Sequence, residues 1–257
     1  MSMMKIIRIS LLLAILLFSA FYSKLQRLQS TSWVEPLPVA IYPINADGRD
    51  ATANYINALA ESDFKSLANF FNKQWTHYSE LDFEPVRIQL MPALTVKPPQ
   101  PPSSDGLLKT VFWSLRLRYW AYLNSQAADK ATVNIFIQYQ QLDPDRRLAH
   151  SLGLQKGLIG LVNAYADKRY QETNNVVIAH ELLHTVGASD KYDLSTGQPI
   201  YPEGFAIPSK QYQQNKAELM AARIPLSATE SEMPISLRYC VIGEQTAAEV
   251  GWVETNK

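Results

Sequence analysis

Apolar and polar residues alternate along this chain with two different periods, and the switches between them mark out strands and helices. Val39 to Ile44 is a short, nearly unbroken apolar run that reads as a strand, and Asp47-Gly48 after it is a turn or helix-start signal. From Asp50 to about His77, the residues Tyr55, Ile56, Leu59, Phe64, Leu67, Phe70 and Phe71 recur near 3.6, which predicts a helix. Val86 to Leu90 alternates as a strand does. Met91-Pro92 and a loop with Pro98, Pro99, Pro101 and Pro102 follow, a surface loop rather than a polyproline ligand. Leu108, Val111, Phe112, Leu115, Tyr119, Tyr122 and Leu123 fall at helical spacing, with Lys109, Arg116 and Arg118 on the polar side. Those cations read as a solvated face in preference to a site for an anionic partner. Thr132 to Gln140 and Leu158 to Ala166 are two further strands. This alternation predicts a mixed α/β layer, an α+β fold with a twisted, mostly parallel sheet. Residues 187 to 234 lack regular pattern and are rich in Pro, Gly and Tyr; Leu237 to Ile242 then reads as a strand and Glu244 to Val250 as a short terminal helix.

The N-terminus has a different pattern. Lys5 and Arg8 precede an apolar run from Ile9 to Tyr22, and Lys24 and Arg27 follow it. With Ile6 and Ile7 the segment has about 17 residues, or roughly 26 Å as a helix, just under the thickness of a bilayer core. A cleaved secretory signal would need small residues at the cleavage positions; Ser19 and Ala20 are small, but Phe18 spoils the pattern. The expectation is therefore an uncleaved signal anchor over residues 1–29, with a cleaved peptide and a buried core helix as alternatives. Residues 30–38, with Ser, Thr, Glu and two prolines, suit a tether, and 39–257 form the main domain. Two basic residues on each side hardly decide orientation, and the N-terminal amine tips it towards N-inside. The resulting expectation is a single-pass inner-membrane protein with its domain on the exported, periplasmic side.

Composition narrows the function classes. Of 257 residues, 47% are hydrophobic and 19% charged, a globular balance. Lys+Arg and Asp+Glu both total 24, so nothing supports a nucleic-acid partner held by counterion release. Cys240 is the single cysteine, which excludes an intrachain disulfide and a Cys-rich zinc module. A metal site must draw on His77, His150, His180 and His184 and on carboxylates.

One segment concentrates that chemistry: Val176-Val177-Ile178-Ala179-His180-Glu181-Leu182-Leu183-His184-Thr185-Val186-Gly187. Asn174 or Asn175 can cap its start and Gly187 can end it. In a helix, His180 and His184 aim both imidazoles at one point, with Glu181 beside them. The other faces are apolar, so the helix should be buried, and two histidines and a glutamate there need polar satisfaction. A zinc ion with a water supplies it. This is the His-Glu-x-x-His arrangement of zinc peptidases. A catalytic zinc takes a third protein ligand and keeps a fourth position open. Gly187 lets the chain turn back with positive φ, which brings Asp190 within reach.

The run from His180 to Asp190 resembles the metzincin clan of zinc metallopeptidases, whose pattern is His-Glu-x-x-His-x-x-Gly-x-x-His. Asp190 stands where most members have a third histidine, as in a small secreted branch of the clan. The run to Asp193 is also similar to that of uncharacterised bacterial membrane-anchored proteins with a His-Glu-Leu-Leu-His-Thr core. Metzincins have a methionine turn beneath the zinc, and Ala217-Glu218-Leu219-Met220-Ala221-Ala222-Arg223-Ile224-Pro225 resembles it. The resemblance implies a central active-site helix, an N-terminal subdomain over 39–187, an irregular C-terminal subdomain over 188–257, and zinc held by His180, His184 and Asp190.

Glu203 is a rival third ligand by its spacing from His184, but Tyr201-Pro202-Glu203-Gly204 has turn composition. Asp193 is another. His77 and His150 lie outside the motif, and Cys240 in its apolar run reads as a small buried hydrophobe. The function this implies is a membrane-anchored metalloendopeptidase with a peptide or protein substrate. Zinc polarises the carbonyl, water fills the open position, and Glu181 is the general base. Tyr192, Tyr201 and Tyr212 are candidates to stabilise the oxyanion, and the strand around Leu161 to Tyr165 is a candidate edge for an extended substrate. The alternative is a non-catalytic envelope module that keeps the fold for binding.

Overall fold

The structure, a computed structural model, describes residues 3–102, 106–125, 133–145 and 147–253. Met1, Ser2, Thr132 and residues 254–257, at the ends of segments expected above, lie outside the described residues. Helix α1 (Met3–Ser30) precedes strand β1 (Leu37–Asn45), helices α2 (Asp50–Asn57) and α3 (Lys65–Trp75) and strand β2 (Val86–Leu90). Helix α4 (Leu107–Asn124), strands β3 (Val133–Gln140), β4 (Leu152–Leu154) and β5 (Ile159–Tyr165), and helix α5 (Gln171–Thr185) follow. The last part has only the two-residue strands β6 (Ala217–Glu218), β7 (Ile224–Pro225), β8 (Ser231–Glu232) and β9 (Cys240–Val241), then helix α6 (Glu244–Glu249).

Five strands form one sheet in the order β2-β1-β3-β5-β4. All pairs are parallel except β4 with β5. This is a mixed α/β fold with a mostly parallel central sheet. The central strands are buried on both faces, which is why β1 reads as a nearly unbroken apolar run, whereas β2 at the sheet's edge alternates. Val39, Ile41, Ile135, Ile137, Val162 and Ala164 face α3 and α5, joining Leu67, Phe71, Ile178 and Leu182 in the larger core. Ala40, Tyr42, Ile44, Phe136 and Leu161 face the other way, with Met91 and, from α4, Ala121. Trp33 is buried against Trp75 and Trp252, and its Nε1 donates to the Val250 carbonyl at 2.7 Å.

Several expectations change. No helix among the described residues is long and apolar enough to cross a membrane. This overturns the signal anchor and the single-pass inner-membrane placement with an exported domain. Helix α1 is long enough, but its stretch without a charged residue, Ile9 to Tyr22, contains Ser10 and Ser19 and is roughly 21 Å, against about 30 Å of hydrocarbon, and cationic residues close it at both ends.

The helix expected from Asp50 to His77 is broken. Ala60 is extended and its N–H donates to the Asp63 side chain at 2.9 Å, so a local side-chain bond replaces a helical one between α2 and α3. Helix α4 is turned over: all seven apolar residues that set its period are exposed, and Leu117 and Ala121 are buried instead. Strand β5 is not an edge, because β4 pairs on its outer side; β4 is the edge. Of the strand expected at Leu237 to Ile242, only β9 forms, after a single 3-10 turn at Leu237–Tyr239.

Candidate metal centre

Helix α5 begins at Gln171, earlier than Asn174 and Asn175 suggested, and neither caps it. Asn174 instead exchanges hydrogen bonds with the Tyr165 backbone, while Asn175 Nδ2 donates to Asp63 O and Ser66 Oγ. These buried amides fasten α5 to the end of β5 and to the start of α3. The rest of the helix is apolar, with Val176, Ile178, Ala179, Leu182 and Leu183 buried. Such a helix has no freedom to rotate, so the directions of its polar side chains are fixed by packing.

At its C-terminus the Ala188 N–H donates to Leu183 O at 3.0 Å and the Gly187 N–H to His184 O at 3.2 Å. This is a Schellman turn with Gly187 at φ 112°. The turn sends the chain back across the helix end and brings Asp190 to the two histidines. His180 Nε2 and His184 Nε2 are 3.0 Å apart, and each is 3.2 Å from Asp190 Oδ1. A tetrahedral zinc with ligands at 2.0–2.1 Å separates its donors by about 3.3 Å. The three atoms therefore form a triangle close to one face of that tetrahedron.

The hydrogen bonds on the far side of each ring decide what the triangle holds. His180 Nδ1 is 2.9 Å from Leu219 O, and His184 Nδ1 is 2.8 Å from Ala188 O. A carbonyl only accepts, so both Nδ1 atoms carry protons and, in neutral rings, both Nε2 atoms present lone pairs. Two lone pairs and a carboxylate oxygen thus converge with no proton of their own between them. Oδ1 of Asp190 is buried and forms no hydrogen bond, as is Oε2 of Glu181. Orphaned buried acceptors are rare, and a cation at the centre of the triangle resolves the arrangement. The donor set fits a zinc-type ion. Burial opposes charge on Asp190, yet the two imidazoles in their protonated form hold its carboxyl far below the usual carboxylate range, so a proton competes with a cation for the triangle. Burial works against the cationic form of His180, but Asp190 and Glu181 outweigh it and raise its pKa.

Glu181 is buried beside the triangle, and burial pushes its carboxyl above the usual range. Gly153, in the edge strand, lies directly over it: a Cβ there would strike His184 Cβ and the Glu181 carbonyl. The carbonyl of Leu219 that receives His180 belongs to the tight turn Leu219–Ala221, in which Met220 is fully buried. That turn is held by Glu218, a buried carboxylate that accepts from the Met220 and Ala221 N–H groups, from Gly243 N and from Thr246 Oγ1. The segment carrying Asp190 is tied to the same turn by Lys191 N–H donating to Met220 O at 2.9 Å.

Lys191 itself is buried, with Nζ 2.7 Å from Glu249 Oε2 and 3.0 Å from Ser189 O. Glu249 also accepts from the backbone and hydroxyl of Ser189. Both neighbours of Asp190 are thereby clamped to α6. Neither Glu218 nor the Lys191–Glu249 pair was singled out in the sequence. Nothing in the local sequence marks these carboxylates or Lys191 as buried.

The other candidates separate cleanly. Among the described residues, His180, His184 and Asp190 are the cluster able to hold an ion. Glu203 is exposed in its turn, and Asp193 spends Oδ1 on Ser195 and Thr196. His77 and His150 are exposed outside the centre. Tyr201 donates to Pro208 O and Tyr212 packs on Phe205, whereas Tyr192 stands beside the centre. Burial, with Asp190 and Glu181 close by, raises its phenol. The Cys240 thiol is buried and pushed up to about 12.

No family model matches the sequence, and no curated protein matches it. Among solved structures, the chain is similar to wild-type OgpA from Akkermansia muciniphila in two crystal forms, at 14% and 12% identity and a TM-score of 0.39. Catalytically inactive OgpA in complex with an O-glycopeptide (glycodrosocin) substrate matches at 12% identity and a TM-score of 0.37. In each case 86% of this chain is covered and 62% of that one, so the chain spans less than two thirds of OgpA's length. A likeness this distant leaves the function to be argued from the residues.

Proposed function

We propose that this protein is a zinc-dependent, metzincin-like metalloendopeptidase whose centre is His180, His184 and Asp190. The observation that carries the proposal is the convergence of two Nε2 lone pairs and an orphaned Asp190 oxygen, beside a buried and equally orphaned Glu181 oxygen. When bound, zinc supplies Lewis-acid polarisation of a carbonyl and a lowered pKa for water. Glu181 takes the proton from the attacking water and returns it to the departing amine; its raised pKa suits a group that both accepts and donates near neutrality. Leu219 O and Ala188 O hold the two rings in the tautomer that leaves Nε2 free. In this reading Tyr192, with Asp190 and Glu181 beside it, donates to a developing oxyanion. An extended peptide pairs with the outer edge of β4, which places its backbone next to Gly153 and thus over Glu181. In this reading residues 39–187 and 188–257 act as the two sides of the cleft.

The test is Glu181→Gln in the full chain, assayed by metal analysis and by cleavage of a mixed peptide pool. The variant should retain one zinc per chain and lose turnover by several orders of magnitude. Wild type that binds no zinc, or a variant that cleaves at the wild-type rate, refutes the proposal. Wild type that holds zinc but cleaves nothing in the pool favours the reading of a binding module that has kept the metal.

A further inference from the structure

Helix α4 runs along the second face of the sheet, but it touches that face with only a narrow strip. Leu117 and Ala121 are buried, with Trp113 and Trp120 half-buried beside them. Its opposite side is apolar from end to end. Leu108, Val111, Phe112, Leu115, Tyr119 and Tyr122 span an arc of about 100° of the helix circumference. All are exposed, Leu108 to 84% and Phe112 to 64%. Isolated exposed leucines need no explanation, whereas a continuous stripe over the five turns of an 18-residue helix is a contact surface.

Charge decides what covers it. No acidic residue occurs between Gly106 and Ser125. Arg116 and Arg118 flank the apolar arc on its two sides, and Lys109 lies on the Arg116 side. Arg118 Nε donates to Lys156 O at 2.9 Å, which brings a fourth basic residue to the same rim. A second copy of the chain is a poor occupant: antiparallel pairing through this stripe would gather four guanidiniums around its midpoint, with no carboxylate on either helix to balance them. An apolar face bordered by cations and carrying two tyrosines towards one end matches a helix lying in the plane of a lipid–water interface. We propose that α4 is an interfacial helix that seats the protein on an anionic lipid surface, inserting its Leu108–Tyr122 face while the basic rim meets the headgroups. The parallel sheet and the metal centre then stand on the side of α4 away from the lipid.

The experiment uses the full chain with Leu115→Cys, labelled with a polarity-sensitive fluorophore. Cys240 is buried and stays unlabelled in the folded protein. The reporter should shift to the blue and saturate as phosphatidylcholine–phosphatidylglycerol vesicles are added. The shift should be weaker with pure phosphatidylcholine and should decline as salt rises. The same label at Lys73→Cys, on exposed α3 surface, should not move. Phe112→Glu, with the Leu115 reporter retained, should weaken vesicle binding roughly tenfold or more. A Leu115 reporter that stays unshifted overturns the proposal, including when the chain binds vesicles by α1 alone. So does a shift that depends on protein concentration without lipid, which would assign the face to a second copy.

Discussion

Replacing Glu249 with alanine tests whether the metal centre is held by the clamp behind Asp190. Among the described residues, Lys191 Nζ forms an ion pair with Glu249 at 2.7 Å and donates to the Ser189 carbonyl and hydroxyl. The lysine side chain is 6% exposed and that of Glu249 21%. Removing one member of a fully buried pair costs about 3–5 kcal/mol, because the other charge is stranded. Water can reach part of Glu249's site, so the expected loss here is about 2–3 kcal/mol, a fall in Tm of roughly 4–12 °C for a domain of this size. Asp190 lies between the two clamped residues, so metal affinity should also fall, by about tenfold, as for other outer-shell changes. Denaturant unfolding of the metal-free chain and chelator competition measure the two effects separately. Lys191→Met/Glu249→Leu removes both charges and should regain most of the stability while leaving affinity low.

The clamp also sets a pH dependence. Burial opposes ionisation of Glu249, but Lys191 and the Ser189 donors outweigh it and depress its pKa below the ordinary 4.5. A depressed carboxylate contributes stability above its unfolded value and loses it as pH falls through the folded value. Wild type should therefore lose more stability below about pH 4.5 than Glu249→Ala does. A single variant within experimental error of wild type in both stability and affinity, or a double variant no more stable than the single, refutes the clamp.

Gly153→Ala places a Cβ against His184 Cβ and the Glu181 carbonyl, neither of which can rotate away. It should cost about 1–3 kcal/mol by overpacking and lower kcat far more than it raises KM, since it displaces the proposed base; unchanged steady-state kinetics would show that β4 does not position α5. Glu218→Ala leaves the Met220 and Ala221 N–H groups and the Thr246 hydroxyl without their acceptor in a fully buried site. It should destabilise the chain by about 3 kcal/mol or more and loosen His180 through Leu219, read as a lower unfolding midpoint and weaker metal retention. Stability equal to wild type would mean that the turn beneath the centre is held by something else.

What the sequence determined about this protein is what short-range geometry can encode. Positions four apart on a helix face the same way whatever surrounds them, so His180 and His184 were legible as a pair, and Gly187 as the residue that turns the chain towards Asp190. The alternation of strand and helix patterns up to residue 170 predicted a mixed α/β layer with a mostly parallel sheet, because a helical crossover returns the chain to pair in the same direction. The rest depended on partners far along the chain. Leu219 receives His180 across 39 positions, Glu249 clamps Ser189 across 60, and Gly153 meets α5 only because three residues of β4 pair antiparallel with β5. No local signal marks a carboxylate such as Glu218 as buried. Periodicity also cannot say which side of a helix meets the core. In α4 the apolar stripe and the packed strip are different faces, and only the tertiary structure decided between them, since burial belongs to the assembled sheet rather than to the spacing of residues on one helix.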